Sequence, residues 1–444
     1  MNGAGERIDR AAKEPLSSAA FPRFSFCVVN LGCKVNRVES DGFERLLTER
    51  GGVPAREAEA DLIVVNTCTV TGEAEKKTRK AVRHALNASE RAQVVVTGCA
   101  TEIDRETYAG LSERVAVVSK AEAALYLADW VAETISTASP DVADGEPAAT
   151  CLDGFTEAEF FVPSDGRTRI GIKVQDGCNN ACTYCIVHVA RGHATSRSAD
   201  EVVSEAVALA QAGVREIVLT GINLGSYDDN GCDLADLCRR LLEATADLHE
   251  PDELPCRFRI GSIEPMDVSM DFIGLLADAE GRLCRHLHLP LQSGSSKVLR
   301  EMARPYDAEE YRQLVEYLRA MVPEIALTTD IIVGFPGETN EDFEDTVKLA
   351  ERCGFSKIHV FPYSRREGTP AAERPDQVQP EVKAARAARL RELSDQLAAV
   401  DRGARVGIPE LALVETPTKA TTESYHEVEL AEPSLVGSLV SVTL

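Results

Sequence analysis

Residues 169–185, Arg-Ile-Gly-Ile-Lys-Val-Gln-Asp-Gly-Cys-Asn-Asn-Ala-Cys-Thr-Tyr-Cys, decide the reading of this chain. An apolar strand, Arg169–Val174, runs into a polar, Gly/Asn-containing loop that carries Cys178, Cys182 and Cys185. Fe–S clusters take Cys thiolates at close spacing. Three thiolates hold three irons of a four-iron cluster, and the fourth iron is left open to a small molecule. A zinc site is the alternative, but zinc takes four ligands, usually as two separated pairs. The ligand arithmetic favours the cluster.

Outward from this loop, strand and helix alternate from about Arg167 to Val400. The strands expected are Arg169–Val174, Glu216–Thr220, Arg257–Ser262, His286–Pro290, Ala326–Val333 and Lys357–Phe361, with helices after most of them. Six βα units suit an open or partial barrel with its chemistry at the C-terminal strand ends. Upstream, Phe24–Leu31, Leu62–Asn66 and Val94–Thr97 alternate with helices and predict a second parallel α/β sheet. Each of these three strands is followed by a cysteine: Cys33, Cys68 and Cys99. Ligands bind at that edge of open α/β sheets, so the three thiols are expected to converge there as a second set of cluster ligands. Each is otherwise a small buried residue after a strand, as free Cys often is.

The expected domains are a disordered leader (1–22), an α/β domain (23–135), a Pro/Asp/Ala-rich linker (136–163), the barrel (164–400) and a short β module (401–444). Of the 444 residues, 44% are apolar and 27% charged, enough for substantial cores. No run of eighteen apolar residues occurs, so no membrane span is expected. The polar N-terminus has no signal-peptide core. A cytoplasmic location follows, where the 13 cysteines serve as ligands or buried thiols rather than disulfides.

Together these strings resemble the radical S-adenosylmethionine (SAM) methylthiotransferases, from about Phe24 to Asp395. They include Leu-Gly-Cys-Lys-Val-Asn (31–36), Asn-Thr-Cys-Thr-Val-Thr (66–71), Gln-Asp-Gly-Cys-Asn-Asn (175–180) and Leu-Thr-Gly-Ile-Asn-Leu-Gly-Ser-Tyr (219–227). Ser-Ile-Glu-Pro (262–265), His-Leu-His-Leu-Pro-Leu-Gln-Ser-Gly (286–294), Thr-Thr-Asp-Ile-Ile-Val-Gly-Phe-Pro-Gly-Glu-Thr (328–339) and Pro-Tyr-Ser-Arg-Arg-Glu-Gly-Thr (362–369) complete the set. More narrowly the chain looks like the branch acting on N6-threonylcarbamoyladenosine beside the tRNA anticodon.

The resemblance implies an α/β fold: an N-terminal open parallel-sheet domain, a radical SAM partial (β/α)6 barrel and a small C-terminal β-barrel called TRAM. It implies two 4Fe-4S clusters and SAM as both methyl donor and radical source, with a methylthio group inserted at carbon 2 of the adenine. The cluster on Cys178, Cys182 and Cys185 would reduce SAM. The cluster on Cys33, Cys68 and Cys99 would carry the sulfur. Tyr184, Gly221, Asn223, Gln292, Asp330 and Gly334 would border SAM, although each is also ordinary packing or turn chemistry. An electron donor, a sulfur donor and the tRNA anticodon loop are the implied partners. Methylthiolation of a ribosomal protein is the alternative activity. A non-catalytic Fe–S carrier has no need of the strings at 219–227 and 328–339.

RNA binding is expected from the helix after Cys68, with Lys76, Lys77, Arg79, Lys80 and Arg83, and from Arg365 and Arg366 after the sixth barrel strand. Phosphate contacts need such cations, and a net charge of −24 opposes them unless they are clustered. The tail is a poor RNA module: from Val406 onward Lys419 is its one Lys or Arg, among six glutamates. His286 and His288 share a strand face and are expected to line the barrel rather than bind metal.

Overall fold

Leu62–Thr67 is buried at every position, as a strand covered on both faces of a parallel sheet must be. In the computed structural model, which describes residues 24–69, 72–138, 166–251 and 253–444, it is the central strand of the first of two α/β units. That unit runs β1 (Ser25–Asn30), α1 (Lys34–Glu49), β2 (Val53–Pro54), β3 (Leu62–Thr67), α2 (Gly72–Ala88), β4 (Gln93–Gly98), α3 (Cys99–Ile103), α4 (Arg105–Ala109), β5 (Val115–Val117) and α5 (Ala123–Ala138). The sheet is wholly parallel, in the order β2-β1-β3-β4-β5, with an apolar core on each face. The expected leader, Cys151 and most of the expected linker lie outside the described residues.

The second unit opens with β6 (Arg169–Lys173) and β7 (Gln175–Asp176), then α6 (Val187–Arg191), β8 (Thr195–Ser196), α7 (Ala199–Gln211) and β9 (Glu216–Thr220). A small hairpin, β10 (Asp228–Asp229) with β11 (Cys232–Asp233), precedes α8 (Leu234–Ala244), β12 (Arg257–Ile260), α9 (Met270–Asp278), β13 (His286–His288), α10 (Ser296–Glu301) and α11 (Ala308–Met321). Then come β14 (Ala326–Val333), α12 (Asn340–Cys353), β15 (Lys357–Pro362), α13 (Pro370–Glu373) and α14 (Pro380–Ala404). Strands β6, β9 and β12 pair in parallel, as do β13, β14 and β15. Two bridges, Phe258–Leu283 and Ser262–His288, join the halves into a six-stranded partial barrel. Ile, Leu and Phe on alternate strand positions pack under the surrounding helices in one core. Helix α1 of the first unit lies against β6, with Val38 over Gly171.

The tail forms an antiparallel sheet in the order β18-β17-β16-β19 from β16 (Pro409–Thr416), β17 (Lys419–Thr422), β18 (Glu427–Glu429) and β19 (Leu439–Thr443). It docks on the N-terminal end of the barrel strands. Arg257 donates to the carbonyls of Leu411 (2.7 Å) and Thr421 (3.2 Å). Arg259 donates to those of Glu423 (2.6 Å) and Thr422 (3.1 Å). Both arginines are fully buried on one carboxylate, Glu216. The acidic residues of the tail are used in the same docking: Glu423 pairs with Arg285, Glu415 with Arg169 and Glu410 with Arg405.

Candidate functional site

Cys33, Cys68 and Cys99 meet at the C-terminal edge of the first sheet because two glycines let their loops approach. A Cβ on Gly32 (φ +135°) would stand 2.6 Å from the Cβ of Cys68, and one on Gly98 (φ +100°) 2.5 Å from the carbonyl of Thr67. Both backbones lie where only glycine is comfortable. Buried Asn36 ties the rim together: its Nδ2 donates to the Thr67 carbonyl (2.7 Å) and to Asn66 Oδ1 (3.2 Å), and its Oδ1 accepts from Cys33 Sγ (3.2 Å). Burial pushes the Cys99 thiol up to about 11; Arg191 opposes the rise, and Cys68 and Cys33 add to it.

Cys178, Cys182 and Cys185 lie on the loop between β7 and α6. Gln175 fixes that loop to the end of β9: its Oε1 accepts from Ile222 N (3.0 Å) and Asn223 N (2.9 Å), and its Nε2 donates to the carbonyls of Asp176 (2.8 Å) and Gly177 (2.9 Å). Donors already face the sulfurs. The amides of Asn180 and Val187 each lie 3.4 Å from a sulfur (Cys178 and Cys185), and Arg304 Nη1 lies 3.2 Å from Cys182 Sγ. Arg304 is buried against Glu264 and bonds Tyr306 Oη (3.1 Å). Burial raises the Cys185 thiol to about 11, with Val187 N–H opposing and the other two thiols adding to the rise.

Neither triad is spaced for a single ion. Thiolates on one tetrahedral zinc at 2.3 Å sit about 3.8 Å apart. Among the described residues, only His288, Asp330 and His359 bring three potential ligand atoms within 4.8 Å of one another. Wider thiol triads with N–H donors aimed at sulfur suit a cluster whose irons occupy separate corners. The remaining described cysteines are buried or half-buried and take no part in either rim.

Arg191 joins the two rims. It ends α6, just past the Cys178–Cys185 loop, and its guanidinium is 1% exposed. Its Nε donates to Cys99 Sγ (3.0 Å), Nη1 to Glu39 (3.0 Å) and Asp176 (2.9 Å), and Nη2 to Asn36 Oδ1 (2.9 Å). Beside the first rim lies a cleft of about 760 Å³, lined by Gly32, Cys68 and Lys77 of the first unit and by Phe361, Tyr363 and Arg391 of the second, among others. Arg191, Asn36, Gln175 and Arg304 were not singled out from the sequence. Asn36 and Gln175 stand inside the quoted strings, which is the one signal that marked them.

The residues expected to border SAM fall around the barrel's C-terminal end. Gly221 and Asn223 follow β9. Asn223 Oδ1 and Thr220 Oγ1 are buried without a hydrogen-bond partner, a pair of acceptors suited to an ammonium group. Gln292 holds φ +66° and bridges to Ile331. Gly334 is packed under Lys383, which leaves no room for a Cβ. The Tyr184 ring packs with Met302, Phe335 and Tyr363. Asp330 faces His288 Nε2 at 3.3 Å. His286 and His288 line the barrel and share Thr328 Oγ1 (3.2 and 3.0 Å).

Lys76, Lys77, Arg79, Lys80 and Arg83 are all exposed on α2, and all but Lys77 line one open groove with His84 and Asn87. Lys77 turns toward the cleft. Arg365 is exposed. Arg366 is buried instead, donating to Glu75 (3.3 Å) and Thr69 Oγ1 (3.1 Å), so it braces α2 against the barrel.

The comparisons agree with this geometry. Residues 172–350 match the model of the Radical SAM superfamily, and residues 25–119 match that of the uncharacterized protein family UPF0004. The chain is 36% identical to threonylcarbamoyladenosine tRNA methylthiotransferase MtaB of Chlamydia pneumoniae, covering 95% of both chains. It is 34% identical to tRNA-2-methylthio-N(6)-dimethylallyladenosine synthase of Desulfotalea psychrophila, covering 88% of both. The fold is similar to the radical S-adenosylmethionine methyltransferase TsrM from Kitasatospora setae (TM-score 0.55, 16% identity, 79% of this chain and 77% of that one). With its cluster loop, its partial barrel and relatives of this identity along nearly its whole length, the chain belongs to the radical SAM methylthiotransferase family and is an enzyme of that kind.

Proposed function

We propose that the protein is a tRNA methylthiotransferase that inserts a methylthio group at carbon 2 of N6-threonylcarbamoyladenosine beside the anticodon. The observation that carries this reading is the link between the two thiol triads: Arg191, just past the loop of Cys178, Cys182 and Cys185, donates to Cys99 Sγ at 3.0 Å. Cys178, Cys182 and Cys185 hold the SAM-reducing four-iron cluster, and Cys33, Cys68 and Cys99 hold a second one. When bound, the clusters supply the electron for SAM cleavage and a site for the transferred sulfur, so the cofactors carry the hard chemistry.

The protein's own residues position and neutralise. Arg304 and Arg191 place a cation beside one sulfur of each triad. Gly221, Asn223, Gln292 and Gly334, with the backbone of Tyr184, border SAM. A cleft of about 760 Å³ accommodates a nucleoside turned out of the anticodon loop. Lys76, Arg79, Lys80, Arg83 and Arg365 supply exposed cations for phosphates, with Lys77 at the cleft.

Threonylcarbamoyl and dimethylallyl groups differ in charge, because the first ends in a carboxylate and the second is apolar. Relatives named for the threonylcarbamoyl substrate, at 35–36% identity, support the anionic one. Mass spectrometry of tRNA nucleosides from cells with and without the gene tests the reading. The 2-methylthio form of threonylcarbamoyladenosine should vanish with the gene, and that of dimethylallyladenosine should not change. The reverse pattern would overturn the assignment.

A further inference from the structure

Strands β13, β14 and β15 place His288, Asp330 and His359 side by side on the wall of the barrel. In register, His288 pairs with Thr328, and Asp330 with His359. One ligand atom from each lies within 4.8 Å of the others. His288 Nε2 is 3.3 Å from Asp330 Oδ1, and the two imidazole rings are 5.7 Å apart. These ligands are neither part of the thiol triads nor used by them. Alternation along one strand puts His286 and His288 on a shared face, where the sequence leads one to expect barrel lining rather than a metal pair. The pair that converges is His288 with His359, two strands away, because neighbouring parallel strands bring side chains of one face closer than positions i and i+2 of a single strand.

We propose that His288, Asp330 and His359 form a binding site for a first-row divalent metal ion, separate from both clusters. Two imidazoles and one carboxylate on one side of an ion make the facial set that binds Fe²⁺, Zn²⁺ or Co²⁺ and leaves other positions open. The surroundings are built for it. The Thr328 hydroxyl, 3.0 Å from His288 Nδ1, holds the ring so that Nε2 faces Asp330, which is the outer-shell hydrogen bond expected of a ligating histidine. The Asp330 carboxylate and the His359 ring have no other hydrogen-bond partner among the described residues. The His288 and Asp330 side chains are 15% and 30% exposed, so further ligands can reach an ion there. Lys34 and Lys357 add positive charge near His359, which opposes cation binding and makes the site weaker than its ligands alone would be. Under this proposal Asp330 is a metal ligand rather than a SAM contact. The proposal does not depend on which nucleoside is the substrate.

The test uses anaerobically reconstituted holoenzyme, whose thiolates are already occupied by iron. It is equilibrated with equimolar Zn²⁺, and bound zinc is measured by dialysis and by X-ray absorption at the zinc edge. One zinc per chain is expected, with nitrogen and oxygen neighbours at about 2.0–2.1 Å and no sulfur. His288→Ala and His359→Gln should each lose it while keeping their iron content and cluster absorption. His359 is exposed, so its variant reads the site even if the His288 variant fails to fold. No bound zinc, a sulfur shell at about 2.3 Å, or equal binding by His359→Gln would each overturn the proposal.

Discussion

Replacing Arg191 with Met keeps an unbranched, largely apolar stem and removes the group that ties the two rims together. The guanidinium is 1% exposed, and its partners Glu39 and Asp176 are 8% and 17% exposed. Removing one member of a buried ion pair costs about 3–5 kcal/mol when the other charge is left alone. Here neither carboxylate is left alone. Lys173 lies 3.0 Å from Glu39 and 3.1 Å from Asp176, and Lys120 lies 2.6 Å from Asp176. The electrostatic loss therefore falls to about 1–2 kcal/mol, with about 1 kcal/mol more for the hydrogen bond to Asn36. Most of it falls on docking, because Asn36, Glu39 and Cys99 belong to the first unit while Arg191 belongs to the barrel; only the pair with Asp176 lies within one unit. A loss of about 2–3 kcal/mol raises the undocked population about 30- to 150-fold. Hydrogen exchange at α3 and α6 of the holoenzyme should accelerate by about that factor, while α8 on the far side of the barrel should not change. Reductive SAM cleavage should survive and methylthio transfer should fall, since only transfer needs both rims in place. Arg191→Lys should lie between, because it keeps the charge and loses the planar fork. Unchanged exchange at α3 and α6 in the Met variant would refute the reasoning.

Two further outcomes are expected. Holoenzyme should hold about eight irons and the Cys178/Cys182/Cys185→Ala protein about four. The latter should lose reductive SAM cleavage, whereas Cys68→Ala should keep it and lose methylthio transfer; SAM cleavage by the triple variant would refute the assignment. At the other end of the barrel, Glu216→Gln leaves Arg257 and Arg259 buried without a counter-charge and should cost about 3–5 kcal/mol by denaturant unfolding. Burial alone would raise the Glu216 carboxyl, but the two guanidiniums outweigh it and hold it at about 2. A depressed pKa stabilises the fold above the ordinary carboxylate range, and that contribution is lost as pH falls toward 2. The gap between wild type and Glu216→Gln should therefore close between about pH 4.5 and 2, and a gap independent of pH would be inconsistent with the pairing.

All six barrel strands were legible, because even the short β12 and β13 sit inside longer expected runs, Arg257–Ser262 and His286–Pro290, and β14 matches Ala326–Val333 end for end. Seven short strands were not, β2, β5 and β17 among them. Val53–Pro54 and Val115–Val117 are too short to alternate, and Lys419–Thr422 buries Ala and Thr rather than an apolar run. The cysteines were legible at the site because thiols after strands carry a local signature. Arg191 and Arg304 were not, because a lone arginine reads as surface until distant partners, the thiols of Cys99 and Cys182 and the Asn36 amide at 92 to 155 residues, are brought to it. Arg366 shows the same limit in reverse: beside Arg365 it reads as a basic pair, yet only one of the two reaches solvent.

The acidic tail turns on the same point. Counted along the sequence, six glutamates against one lysine make a surface that should repel nucleic acid, and the net charge of −24 strengthens that impression. In the fold, Glu410, Glu415 and Glu423 face arginines of the barrel and of the end of α14, so half of that charge is neutralised within the molecule. The cations of α2 are distributed the opposite way. Lys76, Arg79, Lys80 and Arg83 stand exposed around one groove, and among the described residues Arg79 alone of these four has an ion-pair partner, Glu75. A phosphate backbone responds to local potential within about 10 Å rather than to the sum over the chain. The acidic balance is therefore compatible with the proposed RNA substrate: the tail closes the base of the barrel, and a cluster of exposed cations stands on the helix that follows Cys68.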